Sequence, residues 1–139
     1  MTKLKSLLLA ALTALGSCSG ELAMAKDPDG QYANSPFHDW FASVHMPDNP
    51  IASCCGEADA YYMIEYHPSS EPGYAFEGWT EAGHGRGPQY VYIPTQKVNW
   101  EVVNPTGIRG VVWVADGEID FGGLGGKPLV LCFVPGSGS

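Results

Sequence analysis

Lysine and arginine are scarce in this chain: 7 residues against 15 aspartates and glutamates, for a formal charge of −8. Two of the seven, Lys3 and Lys5, fall in the first segment, and the other five are scattered. Scattered cations cannot form the stripe that tracks nucleic-acid phosphates. The same acidity argues against an anionic membrane surface. Beyond the first segment no apolar run approaches the roughly 18 to 20 residues that span a bilayer. Catalytic signatures are also missing. There is no G-x-S-x-G elbow, no H-E-x-x-H, and no pair of histidines at helical i, i+4 spacing. Gly122-Gly123-Leu124-Gly125-Gly126-Lys127-Pro128 fails as a phosphate loop, because its spacing is one residue short and Pro128 replaces the magnesium-binding hydroxyl.

What is present begins with a leader. Met1 to Ala25 has a basic start, an apolar middle from Leu7 to Leu15 and the small-residue exit Ala23-Met24-Ala25, the anatomy of a secretory signal peptide. Removing it takes away Lys3, Lys5 and Glu21 and moves the formal charge to −9. The remaining segment, 26–139, is one domain's worth of chain. An alternative reading takes Leu15-Gly16-Ser17-Cys18 as a lipoprotein box, with a lipid on Cys18 and an outer-membrane location in place of a periplasmic or secreted one.

Cysteine use fits export. Past the leader stand Cys54, Cys55 and Cys132. Neighbouring cysteines rarely bond to each other, since the eight-membered ring strains the intervening peptide. Cys132 is therefore expected to pair with Cys54 or with Cys55, leaving one thiol over. Closing so long a loop stabilises a fold by about 4 kcal/mol on the chain-entropy model. That matches the whole net stability of many small domains.

One helix is predicted, over about 36–45. Ser35 suits the N-cap and Pro36 the first helical position, and Phe37, Trp40, Phe41 and Val44 make one apolar stripe before Pro47. Alternation then replaces the helical period over about 60–134. Strands are expected at Tyr61–His67, Tyr74–Thr80, Gln89–Ile93, Val98–Val103, Gly110–Ala115 and Pro128–Val134, with turn residues between them. Asp116-Gly117 ahead of Glu118–Phe121 is a hairpin signal, and Pro135 to Ser139 is expected to fray. The fold class is thus mainly β: a small antiparallel barrel or sandwich of about six short strands, with one N-terminal amphipathic helix.

Tryptophans and seven tyrosines exceed what one small core can swallow. Trp100 and Trp113 alternate as core residues. Trp79, between glycine-bearing loops and flanked by Glu77 and Glu81, is expected to be exposed, with Tyr74 on the same strand. Acids beside an aromatic platform are one way of gripping a ligand. Trp79, Tyr74, Glu77 and Glu81 are therefore the candidate ligand face.

The chain resembles a family of small exported proteins found mainly in alphaproteobacteria. The matching pieces are Asp27-Pro28-Asp29-Gly30, Tyr32-Ala33-Asn34-Ser35-Pro36, Trp40-Phe41, Cys54-Cys55 with Ala58-Asp59, Asn104-Pro105 with Gly107, Val111-Val112-Trp113, and Cys132-Phe133 with Pro135-Gly136. The resemblance implies a leader ending just before the D-P-D-G element, hence release at Ala25, and brings no activity with it.

Three functions remain. The first is a non-enzymatic periplasmic or secreted module, binding or structural, held by one disulfide, needing no cofactor and facing a protein or a cell-envelope component. The second is a copper- or zinc-binding protein drawing on His67, His84, Met46 and the remaining thiol; His38 and His45 complete the histidines. The third is a thiol enzyme built on the cysteine left outside the disulfide.

Overall fold

The computed structural model describes residues 34–56, 58–115 and 126–138. Within them the chain is mainly β. A short helix, α1 (His38–Ser43), leads into a small hairpin of β1 (His45–Met46) and β2 (Asn49–Ser53). A 3-10 turn at Cys54–Gly56 follows. Next come β3 (Ala58–Pro68), β4 (Tyr74–Thr80), β5 (Tyr90–Pro94), a second 3-10 turn at Thr95–Lys97, β6 (Val111–Ala115) and β7 (Val130–Val134). The last five strands form one antiparallel sheet in the order β5-β4-β3-β6-β7.

The shape of this sheet follows from β3, which changes partner half-way along. Ala58 to Tyr62 pair with β6, and Met63 to Pro68 pair with β4, with an irregularity between Met63 and Glu65 at the hand-over. A bulge there increases local twist. Gly78 lies opposite Tyr66, and a Cβ at Gly78 would come within 2.6 Å of the Tyr66 Cα, so this crossing admits only glycine. The sheet curls into a half-barrel that brings β5 towards β7. At one end of the seam Val98 bridges Phe133, and the Asn99 N–H donates to the Phe133 carbonyl at 2.8 Å.

Two cores result, split by strand parity. Val112 and Val114 of β6 face the concave interior with Tyr61, Met63, Val91, Ile93 and Phe133. Val111, Trp113 and Ala115 face the convex side, against Phe41, Val44 and the Cys54–Cys132 disulfide. That is why β6 reads as an unbroken apolar run: both of its faces are covered. α1 supplies part of the cover, with the Trp40 and Phe41 rings 5.9 and 6.3 Å from that of Trp113.

Several expectations are corrected. The helix is shorter than 36–45: Phe37 flanks its start, Ser35 Oγ accepts the Phe37 N–H rather than capping, and Val44 is already extended. Pro47 ends no helix; it sits in the turn of the β1–β2 hairpin. Val98–Val103 is not a strand. Asn99 Oδ1 accepts the N–H groups of Glu101 and Val102, each at 3.2 Å, and so offers the backbone a turn in place of a ladder. Trp100 is consequently 67 % exposed, not core, whereas Trp113 is fully buried. Pro135 to Ser137 are tied down: the Gly136 N–H donates to the Tyr66 hydroxyl at 2.9 Å, and the Ser137 N–H to the Gly107 carbonyl at 3.0 Å. The leader and the hairpin expected at Asp116-Gly117 lie outside the described residues.

Candidate ligand-binding face

The convex side of the sheet is covered over β3, β6 and β7 by α1 and the disulfide turn. Over β4 and β5 the outward side chains are aromatic. Cross-strand pairing sets Trp79 opposite Tyr90 and Glu77 opposite Tyr92, while Phe76, Val91 and Ile93 point inward. An irregularity between Tyr74 and Phe76 swings Tyr74 round to the outer side. The rings then run in a row. Trp79 and Tyr90 have centroids 5.2 Å apart, Tyr90 and Tyr92 5.4 Å, and Tyr92 and Tyr74 5.5 Å, with interplanar angles of 74°, 73° and 63°. Each contact is edge-to-face, the arrangement that aromatic quadrupoles favour. The Lys127 ammonium closes the row, 3.9 Å from the Tyr92 ring centroid and 5.1 Å from that of Tyr74.

Glu77 stands inside this row. Its Oε2 accepts the Ser69 hydroxyl at 2.7 Å, its Oε1 accepts the Tyr90 hydroxyl at 3.2 Å, and His67 Nε2 lies 4.0 Å away. The Ser69 hydrogen bond, helped by that of Tyr90, holds its carboxyl below the usual carboxylate range against some desolvation. Desolvation, and then the hydrogen bond to the Glu77 carboxylate, push the Tyr90 phenol up.

A groove of about 400 Å³ opens beside the row, between β5 and the segment leading into β7, which are not hydrogen-bonded neighbours. Tyr74, Tyr92 and Pro94 line one side, with Lys127, Pro128 and Leu129 on the other.

Three of the four sequence-predicted residues therefore share one face: Tyr74, Glu77 and Trp79, the last 42 % exposed. Glu81 does not join them. It follows the end of β4 and pairs with Arg109, whose guanidinium stacks over Tyr62 at 4.3 Å. Tyr90, Tyr92 and Lys127 escaped the sequence reading. The alternation Gln89-Tyr90-Val91-Tyr92-Ile93 put both tyrosines on one side, but only the register with β4 shows that Trp79 and Glu77 are across from them.

The remaining candidates are dispersed. Cys54 is the partner of Cys132. Cys55 keeps its thiol, buried, donating to the Phe41 carbonyl at 2.9 Å and accepting the Trp113 indole N–H at 3.0 Å. Such a thiol lacks the access a nucleophile needs. His38 meets Asp39, and His45 meets the Ser43 carbonyl. His84 bonds the Ala60 carbonyl and packs edge-on to Tyr61, and Met46 belongs to β1. Among the described residues no group of three or more histidine, cysteine, aspartate or glutamate side chains could hold a metal ion. No helix among them is long and apolar enough to cross a membrane.

Among the described residues, these features define a curled antiparallel sheet with one disulfide and a row of aromatic side chains on one face. Comparison with family models, curated proteins and solved structures finds no match to this chain.

Proposed function

We propose that the protein is a non-enzymatic extracytoplasmic binding module. Its half-barrel is a scaffold locked by Cys54–Cys132, and its ligand face is the row Trp79, Tyr90, Tyr92 and Tyr74 with Glu77 set among the rings. The observation that carries this reading is the row itself. Four aromatic side chains, each ring touching the next, line one sheet face with Trp79 exposed and the three tyrosines half-buried, and exposed aromatic patches mark interaction surfaces. The disulfide supports an oxidising compartment. Export through the leader, with release at Ala25, belongs to the same proposal, and so does the view that the half-barrel is a barrel left open along the β5–β7 seam.

Affinity electrophoresis against soluble envelope polysaccharides and immobilised peptides tests it, with wild type run beside the double variant Trp79→Ala/Tyr90→Ala. Retention that the double variant loses while keeping its fold supports the reading. Retention that the double variant keeps in full rejects the row as the ligand face.

A further inference from the structure

We infer that the groove between β5 and the segment leading into β7 is a site for a small monocarboxylate with an apolar body, an aryl or alkyl acid, held through Lys127. The inference goes beyond the aromatic row as a ligand face: it uses Tyr74 and Tyr92 as walls and needs neither Trp79 nor Tyr90. Its first support is size. A groove of about 400 Å³ falls within the ~300–1,000 Å³ of sites that hold small molecules. The walls are also fixed. Pro94 and Pro128 stand on opposite sides with φ set by their rings. The turn at Gly73 is tied to Thr95, whose N–H and hydroxyl both donate to the Gly73 carbonyl, at 3.1 and 3.3 Å. A site formed before its ligand arrives loses less in being ordered.

The polar groups select charge. Lys127 is half-buried, and its ammonium is held 3.9 Å from the Tyr92 ring centroid and 5.1 Å from that of Tyr74. A cation–π contact positions an ammonium without neutralising it, because a ring offers a quadrupole and no net charge. Among the described residues no carboxylate lies within ion-pair distance of Lys127. Glu77 is kept ionised chiefly by the Ser69 hydroxyl, and Lys127 comes last among the groups that favour its charge. One wall of the groove thus carries a positive charge with no counter-ion among the described residues. The hydroxyls of Tyr74 and Tyr92 and the Gln96 amide line the same groove, and none of the three bonds to another described residue.

A carboxylate answers this inventory. It accepts charge-assisted hydrogen bonds from an ammonium and further ones from phenol or amide donors, and its single charge matches a single lysine. A phosphate or another dianion fits less well. Sites for such anions draw on backbone N–H groups, which Pro72, Pro94 and Pro128 cannot supply. A second negative charge would also go uncompensated on a chain of formal charge −8. The rest of the ligand has to be apolar. Pro94, Pro128, Leu129 and buried Val130 would leave the hydroxyls of a sugar without partners.

A carbon-13 methyl NMR titration of the disulfide-intact protein tests this, with phenylbutyrate, its neutral amide and inorganic phosphate as probes. Phenylbutyrate is expected to shift the methyl signals of Leu129 and Val130 saturably. It should bind about tenfold or more tightly than the amide, the effect of one charge-assisted hydrogen bond. Phosphate should cause no saturable shift. Lys127→Met keeps an apolar stem over the rings and removes the charge, so it should bring the carboxylate down to the affinity of the amide. Trp79→Ala should leave carboxylate binding unchanged. Absence of a saturable shift at Leu129 and Val130 in the wild-type protein overturns the inference, and this result needs no variant to fold. Equal binding of acid and amide overturns it too, as does equally tight binding of phosphate or carboxylate binding that Lys127→Met keeps in full. Loss of carboxylate binding in folded Trp79→Ala places the ligand on the row, which overturns the groove and leaves the binding module standing.

Discussion

The indole N–H of Trp113 donates to the sulfur of Cys55 at 3.0 Å, so the cysteine beside the disulfide is a hydrogen-bond partner of the most deeply buried tryptophan. The same thiol donates to the Phe41 carbonyl and thereby links α1 to β6. Cys55→Ala would leave two buried groups without this partner and open a small void. It is expected to destabilise the fold by about 1–3 kcal/mol. Cys55→Ser, which retains a donor and an acceptor, should cost less. Thermal melts of the two variants check the order, and wild-type Cys55 should react with a thiol reagent only under denaturing conditions.

The disulfide should dominate stability. Cys54 and Cys132 are separated by 78 residues in sequence, and the bond holds β7 against the convex core. Replacing both cysteines by alanine should cost about 3–5 kcal/mol on the loop-closure model. In a domain of this size that means a drop in Tm of about 10 °C or more. Differential scanning calorimetry of the double variant, and of wild type with and without reductant, provides the measurement.

Glu77 makes acid stability depend on the aromatic row. Its folded pKa lies below the ordinary value of 4.5, chiefly because the Ser69 hydroxyl bonds the ionised form. A pKa lowered by folding makes the carboxylate a stabiliser above about pH 4.5, and that contribution disappears as the pH falls through the folded value. Ser69→Ala should move the Glu77 midpoint upward, and Glu77→Gln should flatten the fall in Tm on the acid side. A carbon-13 NMR titration of the side-chain carboxyls resolves the first effect, and melts as a function of pH resolve the second.

Gly78→Ala should be far worse than an ordinary strand substitution. The added methyl would press on the backbone of Tyr66 and on Glu65, where β3 and β4 cross closest, and backbone cannot move aside cheaply. A loss of about 2 kcal/mol or more is expected, readable from urea denaturation. Gly73→Ala, with open space around its Cβ, meets no such contact and is limited by its positive φ alone.

Much of the β architecture was legible in the sequence because alternation and burial agree there. β4 covers Tyr74–Thr80 as its pattern predicts, and β6 begins one residue after the expected start. Cysteine arithmetic narrowed the disulfide to Cys132 with one of two neighbours. Choosing Cys54 required knowing which of the pair the 3-10 turn aims at β7. Val98–Val103 misled because its side chains have β propensity while the hydrogen bonds come from outside the pattern. Asn99 bonds its own loop, and Asn104 bonds the Arg109 and Pro135 carbonyls at 2.9 and 3.1 Å. The aromatic row was half visible. Trp79, Tyr74 and Glu77 lie on one strand, but their partners Tyr90 and Tyr92 are joined to them by register, a long-range property that no local window contains.

The most direct test of the aromatic row as a ligand face is a nitrogen-15 NMR titration that follows the tryptophan indole N–H signals, assigned through Trp79→Phe. Ligand should shift the Trp79 signal and leave buried Trp113 in place. A binding event that moves the Trp100 signal and not that of Trp79 would contradict the account.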